Sequence, residues 1–494
     1  MKKIYFILII IFSVITVGLF PLDLFLFAVP EWVIFICIAA VIISAVLVFV
    51  RGKSRLPAKV ISVVLAAFIT VLSLVGMYID PYFNSMSLYV TPWNMTLPYD
   101  TVIPADKAQA DIDYAMKYLK KIHPMFLNGV PDEVQTAYDT VSAEIKNAGS
   151  VTVCELARKA ARIFSVPGDA HTCISARYAE PLYLKHYYKW KTDNYAVSAI
   201  NGITINELLE RSADLYSFEA ESWELYTMKN DLLTVQGLTF LGFSVPDGIT
   251  YTFTDDDGNE KTETYYPDDY VTYSEYLLFN GLENEDSAKE EKSFVSFTVD
   301  EENSLALLTL DECNYNSEYK NCVREMFTEV KNKGIKNVAV DLRENGGGNS
   351  LVADEFIKYL DTEEFRITTE EIRLGFFTVS PIPEIMKNDR YSGLTFTGNV
   401  YILTSTGSFS SAMLFPQYIK DNGLGTLIGE PPGNDPNGYG DITSFSMPNS
   451  GIRFFVSTKK FVRADRNSPD RYIMPDIPCD ADKAVDVLYE TIKG

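Results

Sequence analysis

Three uncharged apolar runs fill most of the first 80 residues: 4–20, 32–50 and 60–78, of 17, 19 and 19 residues. About 20 residues of helix cross a hydrocarbon core. Runs of this length leave a membrane or a large buried bundle as the environments that accept them. The first run follows Met1-Lys2-Lys3, as a secretory signal would, but no small-x-small cleavage site comes after it and two further runs do. The sequence favours three transmembrane helices. Lys2, Lys3 and the basic loop from Arg51 to Lys59 mark the cytoplasmic side. The loop with Asp23 and Glu31 lies outside, and so does everything after Tyr78. The expected location is the cell membrane, multi-pass, with the remaining chain on the extracytoplasmic face.

That remainder is acidic. The chain has 43 basic and 66 acidic residues, a formal net charge of −23. Phosphate backbones are repelled by such a surface, so nucleic acid is excluded as a partner. Six cysteines, at 37, 154, 173, 313, 322 and 479, form no C-x-x-C pair. With three histidines, a zinc-type ligand cluster is not visible in the spacing. No metal and no cofactor are expected.

Residues 81–104 read as a linker. Ile112, Met116 and Leu119 mark one face of a helix over 105–122, and 153–164 reads as another. A helical subdomain is expected over 105–179. An insert over 180–292 contains two hairpin signals, at Asn201-Gly202 and at Asp255–Asn259, and ends in a charged linker. From residue 293 strands and helices alternate: strands at 305–310, 337–342, 400–404 and 426–429, helices at 319–330, 351–360 and 410–421. That alternation is an α/β core with βαβ units.

Two strand-to-helix junctions carry chemistry. Thr404-Ser-Thr-Gly-Ser-Phe-Ser-Ser-Ala412 places serines at a helix start, where N–H groups are free and the helix dipole is positive. Plain capping explains such serines equally well. Asp341-Leu-Arg-Glu-Asn-Gly-Gly-Gly-Asn349 is a glycine turn that lets backbone N–H groups face a ligand. No Gly-Lys-Ser/Thr follows, so it is not a phosphate loop. A serine nucleophile needs a base, and residue chemistry alone does not choose among His123, His171 and His186.

Together these stretches resemble the S41 serine peptidases, the C-terminal-processing and tricorn-type enzymes, over about residues 105–485. The resemblance is carried by Val340-Asp-Leu-Arg-Glu-Asn-Gly-Gly-Gly348, Ser408-Phe-Ser-Ser-Ala412 and Leu427-Ile-Gly-Glu430. His123-Pro124, Gly168-Asp-Ala-His-Thr172 and Met474-Pro-Asp-Ile477 add to it. It implies an S41-type (ClpP/crotonase-like) ββα core, a helical N-terminal domain and a PDZ-like insert, here divergent. It implies Ser410 as nucleophile and the N–H groups of Gly348 and Ser411 as oxyanion hole. The lysine base of the processing branch is replaced by Asp435, so the tricorn-like alternative, His171, is implied. Asp470 is the closest match to that branch's acidic residue, with Asp465 and Asp476 behind it. Lys459 and Lys460 are the fallback bases. Arg343 and Asp341 are expected to pin the glycine turn, and Glu430 to order the neighbouring loop. The expected activity is serine endopeptidase acyl-enzyme chemistry on extracytoplasmic proteins or peptides, with a homo-oligomer as a possible assembly. The competing expectations are a catalytically silent peptide-binding or sensing protein of the same fold and a membrane scaffold.

Overall fold

The computed structural model describes residues 4–25, 31–51, 55–83, 96–175, 181–187, 195–281, 293–375, 377–380 and 383–493. Residues 84–95 of the 81–104 linker, and 282–292 of the charged linker, lie outside the described residues. The N-terminal helices are Ile4–Phe25, Glu31–Val50 and Leu56–Phe83. Ile9, Val41, Ala45, Ala66 and Ile69 pack between them. Their outer faces carry Ile36, Ile43, Val64 and Phe68, all exposed. A helix that is apolar all round belongs either to a membrane span or to the interior of a larger assembly. Two of the helices, over Trp32–Val50 and Leu56–Met77, are long and apolar enough to cross a membrane. The expectation of three transmembrane helices is corrected here to two among the described residues. The first contributes only the shorter apolar helix Ile4–Leu19, about 24 Å at 1.5 Å per residue against a core of about 30 Å.

The α/β core is a six-stranded sheet in the order Val295–Asp300, Leu305–Leu310, Asn337–Asp341, Asn399–Thr404, Thr426–Gly429 and Ile477–Pro478. The first pair is antiparallel and the others run parallel. Its central strands are apolar on both faces, as a covered parallel sheet requires. Helices Ser317–Lys333, Leu351–Ile357 and Ser411–Asp421 bury Val323, Phe327, Phe356 and Phe415 on one face. Helix Ala484–Lys493 covers the other through Ala484 and Leu488. The C-terminal ends of adjacent strands 337–341 and 399–404 therefore open at the same edge. The glycine turn and the serine stretch follow them directly. Crevices at this end of parallel strands are where α/β folds place their ligands.

The helical region and the insert share one hydrophobic core. Leu119, Leu156 and Phe164 of the former pack in the same cluster as Leu238, Tyr251 and Phe253 of the latter. The insert holds a four-stranded antiparallel sheet built from Ala196–Ile200, Ile203–Thr204, Ile249–Thr254 and Glu260–Tyr265. Its Asn201-Gly202 turn has positive φ at both positions (50° and 77°), the geometry that Asn-Gly selects in a tight hairpin.

One element was not legible in advance. A long hairpin, Tyr439–Ser446 with Arg453–Val462, leaves the α/β core and buries Phe445, Phe454 and Val456 in the N-terminal cluster. Its strand 453–462 pairs with Ile174–Ser175. The turn between its strands is tied down by the buried Asp111 carboxylate, which accepts from the N–H groups of Asn449 and Ser450, each at 2.8 Å. This hairpin couples the region carrying His171 to the region carrying Ser410.

Candidate active site

Ser410 stands between strand 399–404 and helix Ser411–Asp421 with φ 57° and ψ −123°. A non-glycine residue at positive φ costs about 1–3 kcal/mol and persists only where its surroundings enforce it. Here they do. The Ser410 N–H donates to the buried Asn434 Oδ1 at 2.9 Å. The Phe409 N–H donates to the Asn345 carbonyl at 3.1 Å. Ser408 Oγ accepts from the Ser405 N–H and donates to the Leu342 carbonyl. The Ser410 side chain makes no capping hydrogen bond to its helix, so capping does not account for this serine. A strained strand-to-helix turn instead presents its hydroxyl.

The glycine turn lies against it. A Cβ added at Gly347 (φ 107°) would come within 2.7 Å of Ser410 Cβ and 2.8 Å of the Phe409 carbonyl oxygen. One at Gly348 (φ 134°) would meet the Cys313 carbonyl oxygen at 2.4 Å. Only glycine fits either place. Ser411 Oγ donates to the Gly348 carbonyl at 2.7 Å, which ties the two stretches together. Neither the Gly348 nor the Ser411 N–H has an acceptor among the described residues. Two free backbone donors beside a serine are the elements of an oxyanion hole.

The turn's framework is polar. Arg343 forms a two-pronged pair with Asp341, at 2.9 and 2.8 Å, and donates to the Ala481 carbonyl at 2.7 Å. Asn345 Oδ1 accepts from the Gly347 N–H at 2.9 Å. Glu430 accepts from the Thr406 N–H and hydroxyl and from the Ala481 N–H, each at 3.2 Å. These contacts match the structural roles expected of Arg343, Asp341 and Glu430.

His171 is 8% exposed. Its ring lies 4.4 Å from the Phe409 ring, the neighbour of Ser410. Trp223 also stacks on Phe409, at 4.0 Å between centroids. The segment before and after His171 runs along the long hairpin. The Phe455 N–H donates to the Cys173 carbonyl, and the Ser457 N–H to Thr172 Oγ1, both at 2.9 Å. Neither imidazole nitrogen has a hydrogen-bond partner among the described residues. Burial lowers its pKa, outweighing the opposing pull of Asp169, Asp441 and the Tyr439 backbone. A neutral imidazole is the form that accepts a proton.

The carboxylates facing His171 differ from those the resemblance implied. Asp470 is exposed; its carbonyl accepts from Arg463, and no contact of His171 involves it. Asp465 lies 3.8 Å from Arg366, and Asp476 pairs with Lys420 at 2.5 Å. The residue beside the imidazole is Asp169, fully buried, with Oδ1 at 3.9 Å from His171 Nδ1. Oδ1 also accepts the His171 N–H at 2.9 Å, and Oδ2 accepts from His123 Nε2 at 3.0 Å and Ser457 Oγ at 2.6 Å. His123 Nδ1 accepts the Met125 N–H, so Nε2 carries the proton towards Asp169. Burial pushes the Asp169 pKa up. The hydrogen bond from His123, the charges of His123 and His171, and the Ser457 hydroxyl outweigh it and hold the group at about 2. Asp169 was passed over although it lies two residues from His171. A carboxylate adjoining a candidate base was the available signal.

Glu219, in the insert, is the second carboxylate at this place. Its oxygen, an Asp169 oxygen and a His171 nitrogen lie within 4.8 Å of one another. Burial first, then Asp169 and Asp435, push the Glu219 pKa well above the usual carboxylate range. Nothing in its sequence context marked it. Lys459, a fallback base, is held charged by Glu370 and Asp441 at 2.8 and 2.6 Å, whose attraction outweighs burial and raises its pKa. Asp435, in the place of a processing-type lysine, pairs with Arg471 at 3.0 Å. His186 stacks near Tyr265 and Phe279, apart from this cluster.

Comparison with known proteins bears on the family and the fold. Residues 304–479 match the model of Peptidase family S41. The chain carries an S41 peptidase domain, and its class is that of a serine-type peptidase. Its fold is similar to that of mature CPAF in complex with lactacystin, with a TM-score of 0.54 and 12% identity over 79% of this chain and 97% of that one. Mature CPAF alone gives 0.53 and 12% over 79% and 96%. The photosystem II D1 C-terminal processing protease gives 0.45 and 11% over 78% and 97%. At these identities the two CPAF structures establish the shared fold. No curated protein sequence matches the chain.

Proposed function

We propose that this protein is a membrane-anchored serine endopeptidase acting outside the cytoplasm on proteins or peptides. Ser410 Oγ attacks the scissile carbonyl carbon as its proton passes to His171. The Gly348 and Ser411 N–H groups hold the resulting oxyanion. His171 then gives the proton to the departing amine, leaving an ester on Ser410. A water molecule, deprotonated by His171, attacks that ester, and the acid product leaves as Ser410 regains its proton. Asp169 supplies the negative charge that favours the imidazolium, the role for which the resemblance implied Asp470. The insert is read as a divergent PDZ-like element that seats the substrate chain. The observation that carries this reading is the left-handed backbone of Ser410, held against a glycine turn with two unused N–H donors.

The membrane anchoring rests on the apolar helices, and the orientation on their basic flanks. The test is hydrolysis of an unfolded protein such as casein by the full-length protein in detergent micelles. Release of new amino termini that disappears in Ser410→Ala supports the proposal. A folded wild type with no turnover beyond that of Ser410→Ala refutes it.

A further inference from the structure

We infer that Asp169, His171 and Glu219 form a binding site for a divalent transition cation of the zinc type, and that its occupancy switches the peptidase off.

The site is a cluster of one nitrogen and two carboxylate donors brought together from two chain segments, 169–171 and 219. Tetrahedral zinc with bonds near 2 Å wants donors about 3.3 Å apart. The three donor atoms lie within 4.8 Å of one another, so each pair is at most about 1.5 Å wider than that. Three protein donors including an imidazole suit zinc, with water as the fourth ligand. Calcium and magnesium want more oxygens.

A second, independent observation points to a ligand. Both ring nitrogens of the buried His171 and Oε1 of Glu219 have no hydrogen-bond partner among the described residues. Buried polar atoms without partners are rare and costly. Glu219 is nonetheless fixed in place. Its carbonyl accepts from Tyr472 at 2.8 Å and Arg471 at 3.2 Å. A Cβ at residue 438 would lie 2.2 Å from its Oε1, so Gly438 makes room for this carboxylate. A doubly charged cation would neutralise both carboxylates and use the orphaned donors. Ligation takes the lone pair that His171 needs as a base. The binding site stands on the cluster alone, whereas the inhibitory consequence rests on the proposed peptidase function.

The experiment uses the full-length, tag-free protein in nonionic detergent. Zinc chloride and magnesium chloride are titrated calorimetrically into wild type, Ser410→Ala, Glu219→Gln and His171→Ala. The expected result is saturable binding of one zinc per chain to wild type and Ser410→Ala, with no magnesium heat. Glu219→Gln, nearly isosteric and expected to fold, should bind zinc at least about tenfold more weakly, as should His171→Ala. Zinc should also block labelling of Ser410 by a fluorophosphonate, and a chelator should restore it. Absent zinc binding, or unchanged binding in both ligand variants, overturns the site. Zinc-bound protein that labels at the full rate overturns the inhibition. Failure of zinc-free protein to label refutes the peptidase reading and leaves the calorimetric result to judge the site.

Discussion

Asp169→Asn tests the arrangement behind His171 in two ways at once. The Asp169 carboxylate is fully buried and receives three donors: His123 Nε2–H, Ser457 Oγ–H and the His171 N–H. A folded-state pKa of about 2 against 3.8 corresponds to roughly 2 kcal/mol of stability. The sign follows from the depressed value. That stability is fully present above pH 3.8 and is lost as pH falls through about 2. Asparagine cannot supply it at any pH, and its amide hydrogens would face the donors on Oδ2. The expected destabilisation at neutral pH is about 2–4 kcal/mol. Urea unfolding of the full-length protein, followed by tryptophan fluorescence, measures it; Trp223 stacks on Phe409 beside the site. Wild-type stability should decline more steeply than the variant's below pH 4. Hydrolysis by the variant should fall at least about tenfold, because the charge opposite the imidazole is gone. A variant with the wild-type urea midpoint and the same acid slope would refute the argument for a buried, ionised Asp169.

Other perturbations follow from the same geometry. Gly347→Ala forces a Cβ to within 2.7 Å of Ser410 Cβ at φ 107°; turnover should drop by about a hundredfold or more, seen in kcat with substrate binding less affected. Asp470→Asn should leave turnover within about twofold of wild type, since its side chain is exposed and His171 contacts other groups; a loss above tenfold would return the acidic role to Asp470. Because burial lowers the His171 pKa, the acid limb of the kcat/KM profile should fall below pH 6.5, the ordinary histidine value. A limb above 6.5 would contradict a buried neutral base.

The parts of the site that were legible are the local ones. Strand-turn-helix patterning located the Gly346–Gly348 turn and the 404–412 serine stretch, because apolar strands and turn residues are short-range signals; the family resemblance singled out Ser410 within that stretch. The conformation at Ser410 was not legible, since it depends on Asn434 and Asn345 from other loops. The resemblance pointed to Asp470 for the acidic partner, whereas the carboxylate beside His171 is Asp169 of the same loop, a local signal that was passed over. Glu219 reaches the site from the insert through a shared core that joins regions read as separate domains. The grouping of Asp169, His171 and Glu219 was not visible in the spacing of cysteines and histidines, which reveals only contiguous motifs. Three transmembrane helices were expected because charge-free length alone does not separate a spanning helix from a shorter apolar one.

The central claim is that Ser410 is an activated nucleophile and His171 its base. Its most direct measurement is labelling of the zinc-free full-length protein with a fluorophosphonate, with the modified residue mapped by peptide mass spectrometry. The account predicts a single adduct on Ser410, absent in Ser410→Ala and slowed at least about a hundredfold in His171→Ala. Labelling that maps to another serine, or that proceeds at the wild-type rate without His171, would contradict it.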